Sequence, residues 1–194
     1  MNNKGTRFIT EMGIFIALGL VFDFVGGIYS GFIWPNGGSL SIAMLPIFIM
    51  GFRYGLKGGL LSGFAIGSIQ MLWAGNAIIH WAQAILDYSI AYAVVGLAGM
   101  VSGKIHTSYR KGKLIYGNIS ILIAGLLRAG VHTIVGFIFF KEYLVENVEG
   151  ISDLTFWILS ASYNLGYMIP SIILCMILMT VILYKYSHLI ILED

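Results

Sequence analysis

Charged side chains are scarce in this chain. Asp, Glu, Lys and Arg make up 10% of its 194 residues, whereas 58% of the residues are hydrophobic. A typical soluble domain carries about 25% charged residues. The composition therefore excludes an ordinary soluble domain and indicates a protein that lies in a membrane.

Residues and motifs that bind metals, nucleotides or cofactors are also lacking. The one cysteine, Cys175, lies within an apolar run, so neither an intramolecular disulfide nor a thiolate metal site can form. No His, Cys and carboxylate residues have metal-site spacing, and there is no Gly-x-x-x-x-Gly-Lys-[Ser/Thr] phosphate loop or Gly-x-Ser-x-Gly elbow. We expect no metal, no other cofactor and no catalytic residue, and any energy for transport must come from a partner.

The sequence contains six long apolar runs. They cover roughly 8–28, 40–54, 57–75, 77–101, 115–140 and 154–184, and a spanning helix needs about 20 mostly apolar residues. We predict one all-α membrane domain, residues 1–194, with six transmembrane helices. The first run lacks the cleavage pattern of a signal peptide, so we expect it to remain as a transmembrane helix of the mature protein. Six spans are few for a secondary transporter with two inverted repeats, and the halves show no convincing similarity.

The basic residues predict how the chain lies in the membrane. Nine of the eleven fall at one set of run ends, namely Lys4, Arg7, Arg53, Lys57, Lys104, Arg110, Lys111, Lys113 and Lys185. The positive-inside rule places these ends, and both termini, in the cytoplasm. The opposite loops hold Lys141 against Glu142, Glu146, Glu149 and Asp153, as expected of an outer face.

Polar and aromatic groups recur at similar depth in the outer half of three predicted spans. Gln83 and Asp87 are four residues apart and share one helix face. On the fifth span the imidazole of His132, the gap left by Gly136 and the ring of Phe140 follow one another at intervals of four residues. The sixth span brings Tyr163, Asn164 and Tyr167 together before Pro170, where we predict a kink. The candidate ligand-binding residues on these spans are Asp87, Tyr88, His132, Gly136, Phe140, Tyr163 and Asn164.

A carboxylate among aromatic rings suits a flat organic cation, because charge pairing and cation–π attraction strengthen away from water. The residues alone thus predict an aromatic or quaternary cation as ligand. The alternative for any one residue is a helix-to-helix hydrogen bond, worth about 0.6–2 kcal/mol. Glu11 and Asp23 are expected to be interfacial groups at the ends of the first span. For Arg128 a structural role, bonding carbonyls or a neighbouring carboxylate, stays open.

Four motifs carry a resemblance over nearly the whole chain. They are "WPNGGSLSIAMLPIF", "GFRYGLKGGLLSG", "QAILDYSIAYAVVGLAG" and "YNLGYMIPS", in that order. The chain resembles the thiamine-specific S components, or substrate-capture subunits, of energy-coupling factor (ECF) vitamin transporters of Gram-positive bacteria. The resemblance implies a six-helix protein of the cell membrane that binds thiamine from outside. It also implies delivery together with a membrane coupling subunit and two ATPase subunits.

The resemblance also assigns roles to residues. Asp87 stands where the family places an acidic ligand contact, often glutamate, and Tyr88, His132, Gly136 and Asn164 match pocket positions. Phe140 replaces a stacking tryptophan of some members, Leu159 a tyrosine and Ile66 another tryptophan, so we expect weaker binding rather than a different ligand. Trp73 and Trp81 are expected to be interfacial anchors.

The loop "WPNGGSLS" and the first span complete the expectations. Alone, the loop is a turn, since Pro35 fixes one dihedral and Gly37-Gly38 permit unusual ones. Beside an outer pocket it is predicted to act as a lid, with Trp34 over the ligand. Gly13 and Ala17 are small residues four apart, which the resemblance implies dock onto the coupling subunit, the alternative being packing within this bundle.

Three other functions stay open from the sequence. The chain could be an S component for another vitamin or for the thiamine precursor hydroxymethyl-pyrimidine. It could be a membrane enzyme acting on lipid, with His132 and Asp87 as base and orienter. It could also be a structural membrane subunit without a ligand.

Overall fold

The computed structural model describes residues 3–34, 38–75, 78–141 and 152–191, and these residues form a helical bundle. Five long helical segments are α1 (Asn3–Ser30), α2 (Met44–Gln70), α3 (Trp81–Thr107), α4 (Arg110–Phe140) and α5 (Asp153–Lys185). Short 3-10 turns follow at Met71–Trp73 and Ser187–Leu189. Within the described ranges α1, α3, α4 and α5 are long and apolar enough to cross a membrane. The expected all-α membrane class is confirmed.

The second helix reverses its direction at Gly55. This residue has φ 73° and ψ −166°, a conformation that favours glycine. Residues eight apart in a straight helix are about 12 Å apart, yet a Cβ on Gly58 would lie 2.7 Å from the carbonyl oxygen of Met50. The halves α2a (44–54) and α2b (56–70) therefore fold back on each other, and they correspond to the second and third apolar runs.

A non-helical segment leads into α2a, which begins at Met44 rather than at residue 40. Its backbone is satisfied by serine side chains: the Leu40 amide donates to Ser30 Oγ at 3.0 Å, and the Ser41 amide donates to Ser171 Oγ at 3.0 Å. Ser41 Oγ in turn accepts from the Ala43 amide at 2.9 Å. These bonds fix residues 38–43 between α1 and α5.

The first half of α2 is the centre of the fold. Met44, Ile47, Phe48, Met50 and Phe52 are each at most 1% exposed. By contrast, only 6% of the apolar window of α1 is buried within the protein. The first helix therefore lies at the periphery, with most of its surface available to lipid or to a partner.

A stripe of glycines joins α2b to α3. A Cβ on Gly59, Gly63 or Gly67 would lie 2.2–2.4 Å from a backbone oxygen of α3, namely that of Gly96, Tyr92 or Tyr88. Small residues four apart let helix backbones approach closely. The glycines thus fix where α3 lies against α2b, and with it the position of the neighbouring Asp87.

Glu11 of α1 and Arg53 of α2 connect three segments of the chain. Glu11 accepts 2.8 Å hydrogen bonds from Arg7 Nε, Arg53 Nη2 and Tyr54 Oη. Arg53 Nη1 also donates to the Leu189 carbonyl. Glu11, expected to be only an interfacial group, therefore ties α1 to the α2 reversal, and through Arg53 to the C-terminal segment.

Candidate ligand-binding site

Two π-helical turns lie where the predicted site residues cluster. One, Ile85–Ile90, contains Asp87 and Tyr88, and the other, Gly136–Phe140, begins at the predicted gap in α4. A π turn changes the direction of the side chains that follow it, and such turns are frequent at functional sites. The helix α5 continues through Pro170, the position of the predicted kink.

Asp87 and His132 form the centre of the candidate site. Asp87 Oδ1 lies 3.0 Å from His132 Nδ1, and Gln83 Nε2 donates to Asp87 Oδ2 at 2.8 Å, as the shared helix face predicts. His132 Nε2 accepts from Arg128 Nε at 3.2 Å. Because Nε2 accepts, the imidazole carries its proton on Nδ1 and is neutral. Asp87 is thus held by two uncharged groups.

A second carboxylate lies in the same network. Asp23 Oδ1 accepts from Tyr92 Oη at 3.1 Å, and Gln70 Nε2 donates to the same hydroxyl at 2.8 Å. Arg128 lies over the ring of Tyr92, with Cζ 3.6 Å from the centroid, a cation–π contact. Asp23, expected to be an interfacial group, thus also bonds α1 to α3. The sequence signal was Arg128, a deep cation that needs a carboxylate from another helix.

The face of α5 completes the cluster. Asn164 Oδ1 accepts from Tyr167 Oη at 2.7 Å, and Asn164 Nδ2 donates to the Ser160 carbonyl at 2.9 Å. A Cβ on Gly136 would lie 2.4 Å from Ser160 Oγ, so the absence of a side chain there lets α4 approach α5. The Tyr167 ring lies 6.2 Å from His132 and 6.3 Å from Tyr163.

The described parts of the "WPNGGSLS" loop pack on Tyr167. The Trp34 and Tyr167 rings meet edge to face, with centroids 6.0 Å apart. Gly38, with φ 91°, lies so close that a Cβ would be 2.4 Å from the Tyr167 ring. Pro35, Asn36 and Gly37 of the predicted lid lie outside the described residues. Tyr167, which we did not single out as a site residue, thus connects Trp34 to His132.

The other predicted residues lie farther from the carboxylate. Tyr88 follows Asp87 and is half-buried, with its backbone against Gly67. Phe140 is half-buried and eight residues beyond His132, which corresponds to about 12 Å along a helix. It therefore lies at the C-terminal end of α4, where Phe137 and Trp157 stack with centroids 4.2 Å apart.

The substituted family positions lie outside this cluster. Leu159 is 51% exposed, and Ile66 is fully buried against Gly19. Trp81 is 72% exposed, as expected of an interfacial anchor. Trp73 is 45% exposed.

The cluster has the charge to bind a monovalent aromatic cation. Among its described groups, the carboxylates of Asp23 and Asp87 stand against the guanidinium of Arg128, which leaves one net negative charge. The ring of Trp34 packs on that of Tyr167, which in turn lies beside His132. Over the part of the chain that the structure describes, no three His, Cys, Asp or Glu residues are grouped to hold a metal.

The two candidate partner-binding residues face away from the bundle. A Cβ on Gly13 would meet no atom within 4 Å, and Ala17 is exposed. Gly19, in contrast, faces inward, where a Cβ would lie 2.5 Å from Ile66 Cδ1. The small residues at 13 and 17 therefore open a shallow groove on the outer surface of α1.

Comparison with known proteins finds one consistent family. Residues 9–191 match the family described as thiamine transporter protein (Thia_YuaJ). The chain is 35% identical over 175 residues to the thiamine transporter ThiT of Bacillus subtilis, covering 88% of this chain and 87% of that protein. It is 24% identical over 162 residues to ThiT of Lacticaseibacillus paracasei, covering 80% and 78%.

A solved structure shares the fold. The structure of ThiT from Listeria monocytogenes superposes with a TM-score of 0.77 and covers 98% of this chain and 100% of that one. The sequences are 21% identical, so this likeness shows the fold alone.

Proposed function

Because the chain belongs to the thiamine transporter protein family, which residues 9–191 match, we propose that it is the thiamine-binding S component of an ECF-type vitamin importer. The family predicted from the motifs is confirmed, and it is a family of transporters rather than enzymes. The observation that carries the proposal is the net negative cluster in which Asp87, among the described residues, hydrogen-bonds to the neutral side chains of His132 and Gln83.

Thiamine fits the chemistry of this cluster. Its thiazolium ring carries a permanent positive charge, and its aminopyrimidine ring can hydrogen-bond at its edge. Asp87 would supply the counter-charge, and the amide of Asn164 and the imidazole of His132 would bind the pyrimidine edge. Trp34, Tyr163 and Phe140 would provide aromatic faces, with Trp34 covering the ligand from outside and Phe140 contacting it at the rim. Tyr88 and Gly136 would shape the walls.

The six-span topology with both termini in the cytoplasm is supported by the reversal at Gly55. At about 1.5 Å per residue α2a alone is about 16 Å long, too short for a hydrocarbon core of about 30 Å. The non-helical segment 38–43 adds at most about 20 Å. Its backbone is bonded by Ser30 and Ser171, which is how non-helical backbone is tolerated at membrane depth. Residues 38–54 together can therefore cross the bilayer.

Transport also requires partners that supply energy. We assign the groove at Gly13 and Ala17 to the ECF membrane coupling subunit, because it faces outward on a helix of which little is buried. Two ATPase subunits would hydrolyse ATP, for which this chain has no phosphate-binding loop. The site of action is the cell membrane of a Gram-positive bacterium, in line with the relatives from Bacillus subtilis and Lacticaseibacillus paracasei.

A ligand titration tests the proposal. Thiamine added to the detergent-purified protein should quench tryptophan fluorescence saturably at micromolar concentration or below. Hydroxymethyl-pyrimidine should compete poorly, since it lacks the cation that Asp87 would pair with. The absence of saturable quenching by thiamine would refute the assignment, and tighter binding of the pyrimidine would reassign the ligand.

A further inference from the structure

We propose that Asp23 is a positioning residue of the thiamine site, which holds the charge of Arg128 on the α1 side so that Asp87 is left free to pair with the cationic ligand. This inference rests on the proposed function. It gives α1 a part in ligand selectivity, although none of the candidate ligand-binding residues lies on that helix.

Arg128 is placed between the two carboxylates. On one side its Nε donates to His132 Nε2 at 3.2 Å, and His132 Nδ1 bonds Asp87 at 3.0 Å. On the other side its guanidinium lies 3.6 Å from the centroid of Tyr92. The hydroxyl of Tyr92 donates to Asp23 at 3.1 Å. One ring therefore separates Arg128 from each acid.

The two sides are not equivalent. The ring that connects Arg128 to Asp23 is a phenol that lies beneath the guanidinium, and its hydroxyl bonds the carboxylate of Asp23. The ring that connects Arg128 to Asp87 is a neutral imidazole. Gln70 Nε2 donates to the Tyr92 hydroxyl at 2.8 Å, which keeps the proton of that hydroxyl directed at Asp23.

Loss of the Asp23 charge would redirect Arg128. The arginine is only 9% exposed, and a buried cation without a counter-charge is strongly unfavourable. The remaining carboxylate of the network is Asp87, one imidazole away. Arginine has a long side chain whose rotations can carry the guanidinium toward that acid. Asp87 would then be neutralised by the protein itself, and the site would lose its preference for a positive ligand.

The test compares two ligands of nearly the same shape. Dissociation constants are measured for thiamine and for an uncharged isostere in which carbon replaces the thiazolium nitrogen. Asp23→Asn should weaken thiamine binding about tenfold and change binding of the isostere by less than about twofold. The matched control is Asp153→Asn, because the Asp153 side chain is 73% exposed and pairs with Lys141 at the start of α5. That variant should bind both ligands as the parent does.

Repeating the Asp23 substitution in protein that lacks Arg128 shows whether Asp23 acts through that arginine. In Arg128→Gln protein, adding Asp23→Asn should change the thiamine dissociation constant by less than about twofold, because no guanidinium is left to move. If the tenfold loss persists there, or if Asp23→Asn weakens both ligands equally, the proposal is overturned.

A milder variant decides the matter if Asp23→Asn does not fold. Tyr92→Phe keeps the ring beneath Arg128 and removes only the hydroxyl that bonds Asp23, so it should lower thiamine affinity selectively by a smaller factor. Equal affinity of Tyr92→Phe and parent for thiamine would overturn the proposal. Failure of the parent protein itself to bind thiamine would refute the proposed function instead, so the two failures are distinguishable.

Discussion

Asp87 is the residue on which ligand charge is expected to depend most directly. Asp87→Asn keeps the volume and can still accept from His132 Nδ1, but it removes the counter-charge. We expect thiamine affinity to fall by about ten- to a hundredfold, with the unfolding temperature in detergent nearly unchanged. Fluorescence titration and a thermal melt measure the two quantities. Unchanged affinity would show that the thiazolium pairs elsewhere.

Trp34 is expected to control the rate at which the ligand leaves. Its ring packs edge to face on Tyr167 at the outer end of the site, so Trp34→Ala should remove the cover while leaving the buried network intact. We expect the thiamine dissociation rate to rise about tenfold in stopped-flow fluorescence. Trp81→Ala, which removes a tryptophan that is 72% exposed, is the matched control and should leave the rate unchanged. Equal dissociation rates for Trp34→Ala and parent would show that the loop serves only as a turn and not as a lid.

At the scale of single residues, the sequence identified the polar side chains of the site more reliably than it identified the residues to which they bond. Asp87, His132 and Asn164 were recognisable because polar side chains are costly in apolar helices. The bond between Gln83 and Asp87 followed from helical spacing alone. Asp23, Gln70 and Tyr92 were not recognised, because their bonds join three different helices and depend on how those helices pack.

Among the helices, the contact between α2b and α3 should tolerate the least change. A Cβ on Gly63 would lie 2.2 Å from the Tyr92 carbonyl oxygen, so Gly63→Ala must separate two backbones. We expect a loss of about 3 kcal/mol in stability together with loss of thiamine binding, since Asp87 and Tyr92 both lie on the displaced helix.

A matched glycine provides the control. Gly103 lies in α3 with open space where its Cβ would be, and Gly103→Ala should leave both thermal stability and thiamine affinity at the parent level. If Gly63→Ala is as stable as Gly103→Ala, the two helices do not need the close approach seen here.

The helical runs were predictable from hydropathy, but their ends were not. All six apolar runs are helical over most of their length in the described residues. In lipid the backbone groups of a long apolar run must hydrogen-bond within the protein, and a helix satisfies them within one segment. The second run was expected from residue 40, yet residues 40–43 are not helical, and serine side chains on α1 and α5 bond the amides of Leu40 and Ser41. Hydropathy cannot register bonds that later parts of the chain supply.

For the whole molecule, binding and transport should be separable. Gly13→Leu fills the outward groove on α1 without touching the described ligand network. We expect thiamine affinity of the isolated protein to stay within about twofold, while thiamine uptake by vesicles that contain the coupling subunit and ATPases falls at least about tenfold. Gly130→Leu, at an equally open glycine on α4, should support normal uptake. Normal uptake with Gly13→Leu would place the docking face elsewhere.

The burial of α2a also has a consequence for how the protein is made. This helix is the centre of the fold, yet it leaves the ribosome before α3, α4 and α5, the helices that cover it. Until then its short length and the open backbone of residues 38–43 are poorly suited to lipid. We expect the reversal at Gly55 to let α2a and α2b enter the bilayer as one hairpin. The hairpin should reach its final position only when Ser171 of α5, the last of the five helices to be synthesised, bonds the Ser41 amide. Truncation before α5 should therefore leave the hairpin exposed to membrane proteolysis rather than yield a smaller stable bundle.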